Sequence, residues 1–302
     1  MKVYITGISG MLGANIAYTL KDKYEIYGTD LIEINMDKVK SERLNLSDSE
    51  AVEESIGKIL PDIVVHTAAA VNVELCEKDP QYAEQLNYMI TKKLVHICKK
   101  KQIRFIYIST DAVFDGKQSE LYKEEDLVNP VNVYGLTKLK GEQAVLDYEL
   151  GTVLRTNIYG FNFQDKASFG EWILYSLLNN ETLNMFTDIY FSPILVNELA
   201  EIIDRVIEKD VRGLYHACAS GKISKYKFAV LLKEIFHINS GKIVETLSKD
   251  FEFKAKRSPD MGMSNEKLKK ELNLEISDPE ESLKKFKELY DEGFYKLLKT
   301  MR

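Results

Sequence analysis

Ser109, Thr110 and Asp111 close an apolar run, Arg104 to Ile108, and Tyr134-Gly-Leu-Thr-Lys138 follows downstream. These are the parts of a carbonyl-reducing site. A tyrosine and a lysine four residues apart lie on one face of a helix. The lysine cation can lower the phenol's pKa from about 10 by roughly one to three units, which makes it a usable proton donor near neutral pH. Thr110 then holds the substrate oxygen from the other side. The same spacing recurs at Tyr88/Lys92 and at Tyr295/Lys299. Only Tyr134 follows a hydroxyl-bearing strand end at a distance that a strand, loop and helix can span. Thr110, Tyr134 and Lys138 are therefore assigned the catalysis, and the other two pairs are read as surface pairs with snorkelling lysines.

The elements that must position them can be read from hydrophobic pattern. Strands are expected at Lys2 to Thr6, Glu25 to Thr29, Asp62 to His66, Arg104 to Ser109 and Thr152 to Arg155, with a further strand ending at Asn45. Between them fall helical patterns at Met11 to Lys21, Asp48 to Lys58, Pro80 to Lys100 and Val133 to Tyr148. Such alternation predicts right-handed crossovers and a parallel sheet covered on both faces, a doubly wound α/β fold of Rossmann type with its ligand site at the carboxyl ends of the strands. The second half breaks the repeat. Helices are expected at Ser168 to Asn179, Asn197 to Glu208, Lys225 to Phe236 and from near Ser264 and Glu280, with short strands at Leu183 to Phe186 and Gly213 to Ala217. We expect a dinucleotide-binding domain over 1–157 and a smaller, mixed substrate lobe over 158–302, with 190–210 packing back on the first sheet. The run Glu280 to Arg302 reads as a solvated amphipathic helix whose apolar face is Leu283, Phe286, Leu289 and Tyr290.

Thr6-Gly7-Ile-Ser-Gly10-Met-Leu-Gly13 falls between the first strand and the first helix, where bare amides and a helix N-terminus can hold a pyrophosphate. Asp30 ends the second strand, at the place where a carboxylate accepts hydrogen bonds from the adenosine ribose and repels a 2′-phosphate. NAD(H) is thus the expected cofactor. Lys38, Lys40 and Arg43 lie close enough in sequence to keep NADP(H) as the second candidate. Met11, Leu12, Leu31, Asn45 and Leu46 complete the expected nucleotide wall, with Asn45 at the adenine edge and Asp48 or Ser47 capping the next helix. Small residues at Ala68, Ala69 and Ala70 let a cofactor lie across the strand ends.

A net charge of −6 with interspersed signs and 45% hydrophobic content describes a globular chain and argues against nucleic acid or an anionic membrane as partner. No segment approaches the roughly 20 apolar residues of a membrane span. Cys76, Cys98 and Cys218 are odd in number and far apart, and the four histidines have no metal-ligand spacing, so neither a disulfide framework nor a metal site is indicated. A reducing cytoplasm is the expected location. A homodimer is compatible with the sequence.

These residues resemble the extended short-chain dehydrogenase/reductases, most closely the dTDP-4-dehydrorhamnose reductase family, over nearly the whole chain. The likeness is carried by the glycine turn, by Ala68-Ala-Ala with Glu77, and by Ile108-Ser-Thr-Asp-Ala-Val-Phe-Asp-Gly116. Asn129-Pro-Val-Asn-Val-Tyr-Gly-Leu-Thr-Lys138 with Gly141-Glu142, and Leu154-Arg-Thr156 with Tyr159-Gly160, carry it further. The resemblance implies that a nicotinamide hydride reaches C4 of a nucleotide-linked 4-keto-6-deoxyhexose while Tyr134 donates the proton and Lys138 also holds the nicotinamide ribose. The family usually has tyrosine where this chain has Ala112, and a tryptophan near Asn157, so the sugar end departs from the pattern. Asp111, Asn157 and Arg257 are the polar candidates for that end, with Arg257 suited to phosphate. The chain also resembles the regulatory beta subunit of methionine adenosyltransferase, which implies a dinucleotide-binding regulator as the second reading. A nucleotide-sugar epimerase is the third.

Overall fold

A computed structural model describes residues 1–302. The first half alternates as the pattern predicts: β1 (Lys2–Thr6), α1 (Met11–Leu20), β2 (Glu25–Asp30), β3 (Val39–Arg43), α2 (Ser49–Ile59), β4 (Ile63–His66). Then come α3 (Val73–Lys78), α4 (Pro80–Glu84), a π-turn over Gln85–Met89, α5 (Ile90–Lys101), β5 (Arg104–Thr110), α6 (Val133–Leu146) and β6 (Gly151–Thr156). Every residue of β4, and of β5 from Phe105 onward, is buried, as only a sheet covered on both faces allows. Asp48 caps α2 by accepting from the Ala51 amide, and Asn132 caps α6 by accepting from Gly135. The expected helix over Pro80 to Lys100 exists, but a wide turn interrupts it.

The second half contains β7 (Ile158–Tyr159), α7 (Phe169–Leu178), β8 (Thr182–Phe186), β9 (Tyr190–Phe191), β10 (Ile194–Leu195), α8 (Val196–Glu208) and β11 (Gly213–His216). It continues with β12 (Ile223–Ser224), α9 (Lys225–Ile235), β13 (Lys242–Thr246), β14 (Asp260–Met261), α10 (Glu266–Leu272), α11 (Pro279–Asp291) and α12 (Phe294–Thr300).

Seven parallel strands form the main sheet in the order β11-β6-β5-β4-β1-β2-β3. The chain reverses direction across the sheet between β1 and β4, so the crevice for a ligand opens at their carboxyl ends. The edge strand β11 corrects the sequence reading, which gave Gly213 to Ala217 to the second lobe. Its residues pair with Thr152 to Arg155 of β6. Helix α8 does return to the first sheet: Leu199, Ile202, Ile203 and Val206 share one core with Ile16, Ala17 and Leu20 of α1, and Leu268 and Leu272 of α10 join them. A division near residue 157 therefore does not coincide with a break between cores.

A separate aromatic core, built on Tyr159, Phe161, Phe228 and Phe286, supports the second lobe. The C-terminal run is not one solvated helix. Gly293 adopts φ +75° and splits it into α11 and α12, and Leu283 and Phe286 are fully buried in that aromatic core. Periodicity marks the apolar face but carries no information about what covers it. No helix is long and apolar enough to cross a membrane.

Candidate active site

The nucleotide turn is built by what its glycines lack. Gly7 sits at φ +74°, and a Cβ there would lie 2.7 Å from the Ala68 amide nitrogen; one on Gly13 would lie 2.2 Å from the Gly7 carbonyl oxygen. Gly7, Gly10, Met11 and Leu12 line the cleft, whereas Gly13 lies beneath it and lets α1 pack on the turn. The N-cap of α1 is Gly10, which offers no side-chain acceptor, so the helix presents its first amides without a protein cap. That cradle, which any side chain would fill, fits a dinucleotide pyrophosphate.

Asp30 ends β2 on the cleft wall. Its carboxylate accepts from the Ser9 amide at 3.1 Å, the Ser9 hydroxyl at 2.7 Å and the Leu31 amide at 2.7 Å, tying the glycine turn to the strand end. Leu31, Asn45 and Leu46 line the same wall, and the Asn45 side-chain oxygen already accepts from the Ser47 amide at 3.0 Å. Ala68 and Ala69 face the cleft. Ala70 does not: it is buried, its amide donates to Asn87 Oδ1 at 2.8 Å, and its carbonyl accepts from Asn87 Nδ2 at 3.2 Å. The three alanines are chemically identical, and the direction of the backbone alone separates wall from core.

Thr110, Tyr134 and Lys138 line one cleft of about 940 Å³ with the nucleotide turn. Thr110 is the last residue of β5; its hydroxyl donates to Asp111 Oδ1 at 3.0 Å and accepts from the Ala112 amide at 3.1 Å. Tyr134 stands in the first turn of α6. A Cβ on Gly135 would lie 2.2 Å from the Ala112 carbonyl oxygen, so the turn after β5 and the start of α6 touch backbone to side-chain-free backbone, which brings Thr110 and Tyr134 together. Lys138, one helical turn on, donates to the Ile108 carbonyl at 2.6 Å and lies 4.0 Å from the centroid of the Tyr107 ring.

The electrostatics differ from the expectation. Burial holds the Tyr134 phenol above its ordinary pKa, aided by the Asp111 carboxylate and opposed by the Thr110 hydroxyl. Lys138 does not draw it down, because burial lowers the lysine itself to about 7 against the pull of Glu142, and its amine is directed to the Ile108 carbonyl. His66 is structural: it bonds Thr6 Oγ1 at 2.6 Å and Thr91 Oγ1 at 3.1 Å and stacks on Tyr107.

At the far end of the cleft, Asn157 donates to Asp111 Oδ2 at 2.6 Å, so these two candidates come together and satisfy each other. Arg257 also reaches the cleft, but not as a free cation. Its guanidinium donates to Glu74 Oε1 at 2.8 Å, Glu74 Oε2 accepts from the Ala255 amide at 3.3 Å, and Asn132 Nδ2 donates to the Lys256 carbonyl at 2.9 Å. The segment before Pro259 is thus latched across the cleft onto α3 and the start of α6. The sequence reading missed Lys225, Trp172 and Phe253, which line this end. A lysine at the first position of a helix reads as solvated, and nothing in its neighbours' spacing says otherwise.

Residues 1–291 match the family model described as RmlD substrate binding domain. The chain is 28% identical over 262 residues to the probable low-salt glycan biosynthesis reductase Agl14 of Haloferax volcanii, covering 85% of this chain and 87% of that protein. It is 31% identical to methionine adenosyltransferase 2 subunit beta of Bos taurus, covering 79% and 73%. Its fold matches the dTDP-4-dehydrorhamnose reductase of Bacillus anthracis, solved in complex with NADP, with a TM-score of 0.84, 26% identity and coverage of 94% and 98%.

Proposed function

The chain belongs to the RmlD substrate-binding-domain family, and on that footing we propose that it reduces the 4-keto group of a nucleotide-linked 4-keto-6-deoxyhexose, in the making of a deoxysugar for a polysaccharide. One observation carries the reading: the Thr110, Tyr134 and Lys138 side chains and the uncapped glycine turn line a single cleft. A nicotinamide dinucleotide, when bound, supplies the hydride. Gly7 and Gly10 hold its pyrophosphate, and Asp30 accepts from the adenosine ribose, which favours NAD(H); NADP(H) is the alternative, as in the Bacillus anthracis relative. Tyr134 carries its proton at neutral pH because burial holds the phenol above its ordinary pKa, and it donates that proton to the substrate oxygen as the carbonyl is reduced. Thr110 turns its hydroxyl from Asp111 to the same oxygen. Lys138, fixed against the Ile108 carbonyl one helical turn from Tyr134, would hold the nicotinamide ribose. Asp111 and Asn157 meet the sugar. The buried, unpaired Cys76, Cys98 and Cys218 accord with a reducing compartment.

The test is a panel of thymidine, uridine, guanosine and cytidine diphosphate 4-keto sugars offered with NADH and NADPH, following nicotinamide absorbance. Turnover of one member supports the reading. A second reading, a dinucleotide-binding regulatory subunit, draws on the 31% identity to the bovine methionine adenosyltransferase subunit and on Ala112. It gains if the dinucleotide-loaded chain binds no nucleotide sugar in the panel.

A further inference from the structure

The substrate half of the cleft holds two cations in different circumstances. Arg257 is paired with Glu74 at 2.8 Å. Lys225 is the first residue of α9; its backbone amide donates to the Ile189 carbonyl at 3.0 Å, but its side-chain amine makes neither a hydrogen bond nor an ion pair. Its Nζ lies 3.2 Å from the centroid of the Phe191 ring and 4.2 Å from that of Phe169, with its tip in the cleft. Ring faces attract an ammonium but accept none of its three hydrogen bonds in the ordinary sense. The nearest carboxylate acting on it is Asp111, which already receives Asn157 and Thr110. Burial pushes the amine down to about 7, the cost of a cation with no anion beside it.

We propose that Lys225 receives the diphosphate of the nucleotide sugar and so sets how far the sugar reaches toward Tyr134; this rests on the reductase reading. Asp111 is adjacent to Thr110, its charge acts on Lys225, and Asp111, Asn157 and Lys225 line the same cleft, so the amine shares the end of the cleft assigned to the sugar. A diphosphate there supplies both the missing acceptors and the missing negative charge. Arg257, the residue whose guanidinium suits phosphate by type, would first have to leave Glu74.

The experiment is calorimetry on the NADP⁺- or NAD⁺-loaded full chain, titrating each nucleoside diphosphate and its monophosphate into wild type, Lys225→Met, Lys225→Arg and Arg257→Met. One diphosphate should bind wild type about tenfold or more tighter than its monophosphate. Lys225→Met should lose roughly tenfold to a hundredfold for the diphosphate and less than about threefold for the monophosphate, with Lys225→Arg restoring most of it. Arg257→Met should lose less than Lys225→Met. Unchanged diphosphate affinity in Lys225→Met, or equal loss of both nucleotides, overturns the proposal while leaving the reductase reading intact. Wild type binding no nucleoside diphosphate overturns both. Dinucleotide affinity reports folding in each variant, and if Lys225→Met fails to fold, Lys225→Gln takes its place.

Discussion

Lys138 and Lys225 line one cleft, and burial brings both amines to about 7. Their surroundings differ. Lys138 rests on the Ile108 carbonyl with Glu142 one turn further along α6, so the protein itself completes its coordination. Lys225 has two aromatic faces and no acceptor. The catalytic floor is thus finished within the protein, whereas the substrate wall is left to be completed by what it binds. The carboxylates do not divide in this way: Asp30 accepts from Ser9 and from the Leu31 amide, and Glu74 on the far wall is paired with Arg257.

The sharpest way to break this contrast is at the floor. Tyr134→Phe should cut kcat by roughly 10² to 10⁴ while leaving dinucleotide affinity within about twofold, because the ring stays and only the proton donor goes. Steady-state kinetics and dinucleotide titration check it, with Tyr88→Phe and Tyr295→Phe as controls. A variant keeping more than about a tenth of wild-type kcat would remove Tyr134 from the role. Asp30→Ala comes next. Loss of one or two hydrogen bonds to a charged group should weaken NADH by about tenfold to a hundredfold and narrow its advantage over NADPH. The assignment fails if both cofactors bind wild type and variant alike.

At the wall, effects should be smaller. Arg257→Ala should raise KM for the nucleotide sugar several-fold with little change in NADH binding, and Glu74→Ala should reproduce part of that rise by releasing the same latch. If Glu74→Ala instead lowers KM, Arg257 is a phosphate ligand that Glu74 restrains. The smallest effect is on stability. Lys138 and Lys225 titrate near 7 when folded against an ordinary 10.5, so at these groups the unfolded chain binds more protons and stability should rise with pH from about 7 to about 8.5, above which Cys76, Cys98 and Cys218, kept protonated by burial in the fold, act the other way. Glu142 faces Lys138, and Asp111 and Arg257 face Lys225. Melting temperatures over that range should climb in wild type and climb less in Lys138→Met and Lys225→Met; a flat wild-type profile would break the comparison.

What could be read from the chain and what could not divides along the same line. Continuous apolar runs such as Ile63 to Val65, set in an alternation with helical patterns, mark buried parallel strands, and the glycine turn and the Tyr134/Lys138 spacing are local, so sequence carries them. The β11 pairing cannot be read, because four residues at Gly213–His216 hold too short a pattern to name their sheet. Arg257 and Glu74 lie 183 residues apart, and only the folded chain reveals that one cancels the other. Lys225 is invisible for the opposite reason: its partners are ring faces, and an aromatic residue in sequence announces packing.

One turn of helix between α4 and α5 carries a consequence of its own. Ala83 and Ile90 are seven residues apart, two turns of regular helix, and on a uniform helix they would share a side. The π-turn at Gln85–Met89 shifts their phase by up to about one residue's rotation, roughly 100°. Ala83 accordingly meets Ala70 and Cys76 beside the cleft, Ile90 joins the core under β4 and β5, and Asn87 at the point of slippage ties Ala70 to Thr137. The helix works as a coupling between two shafts turned out of step. Deleting a single residue within the π-turn would bring them back into step and force the helix to abandon either its packing on Ala70 and Cys76 or the sheet.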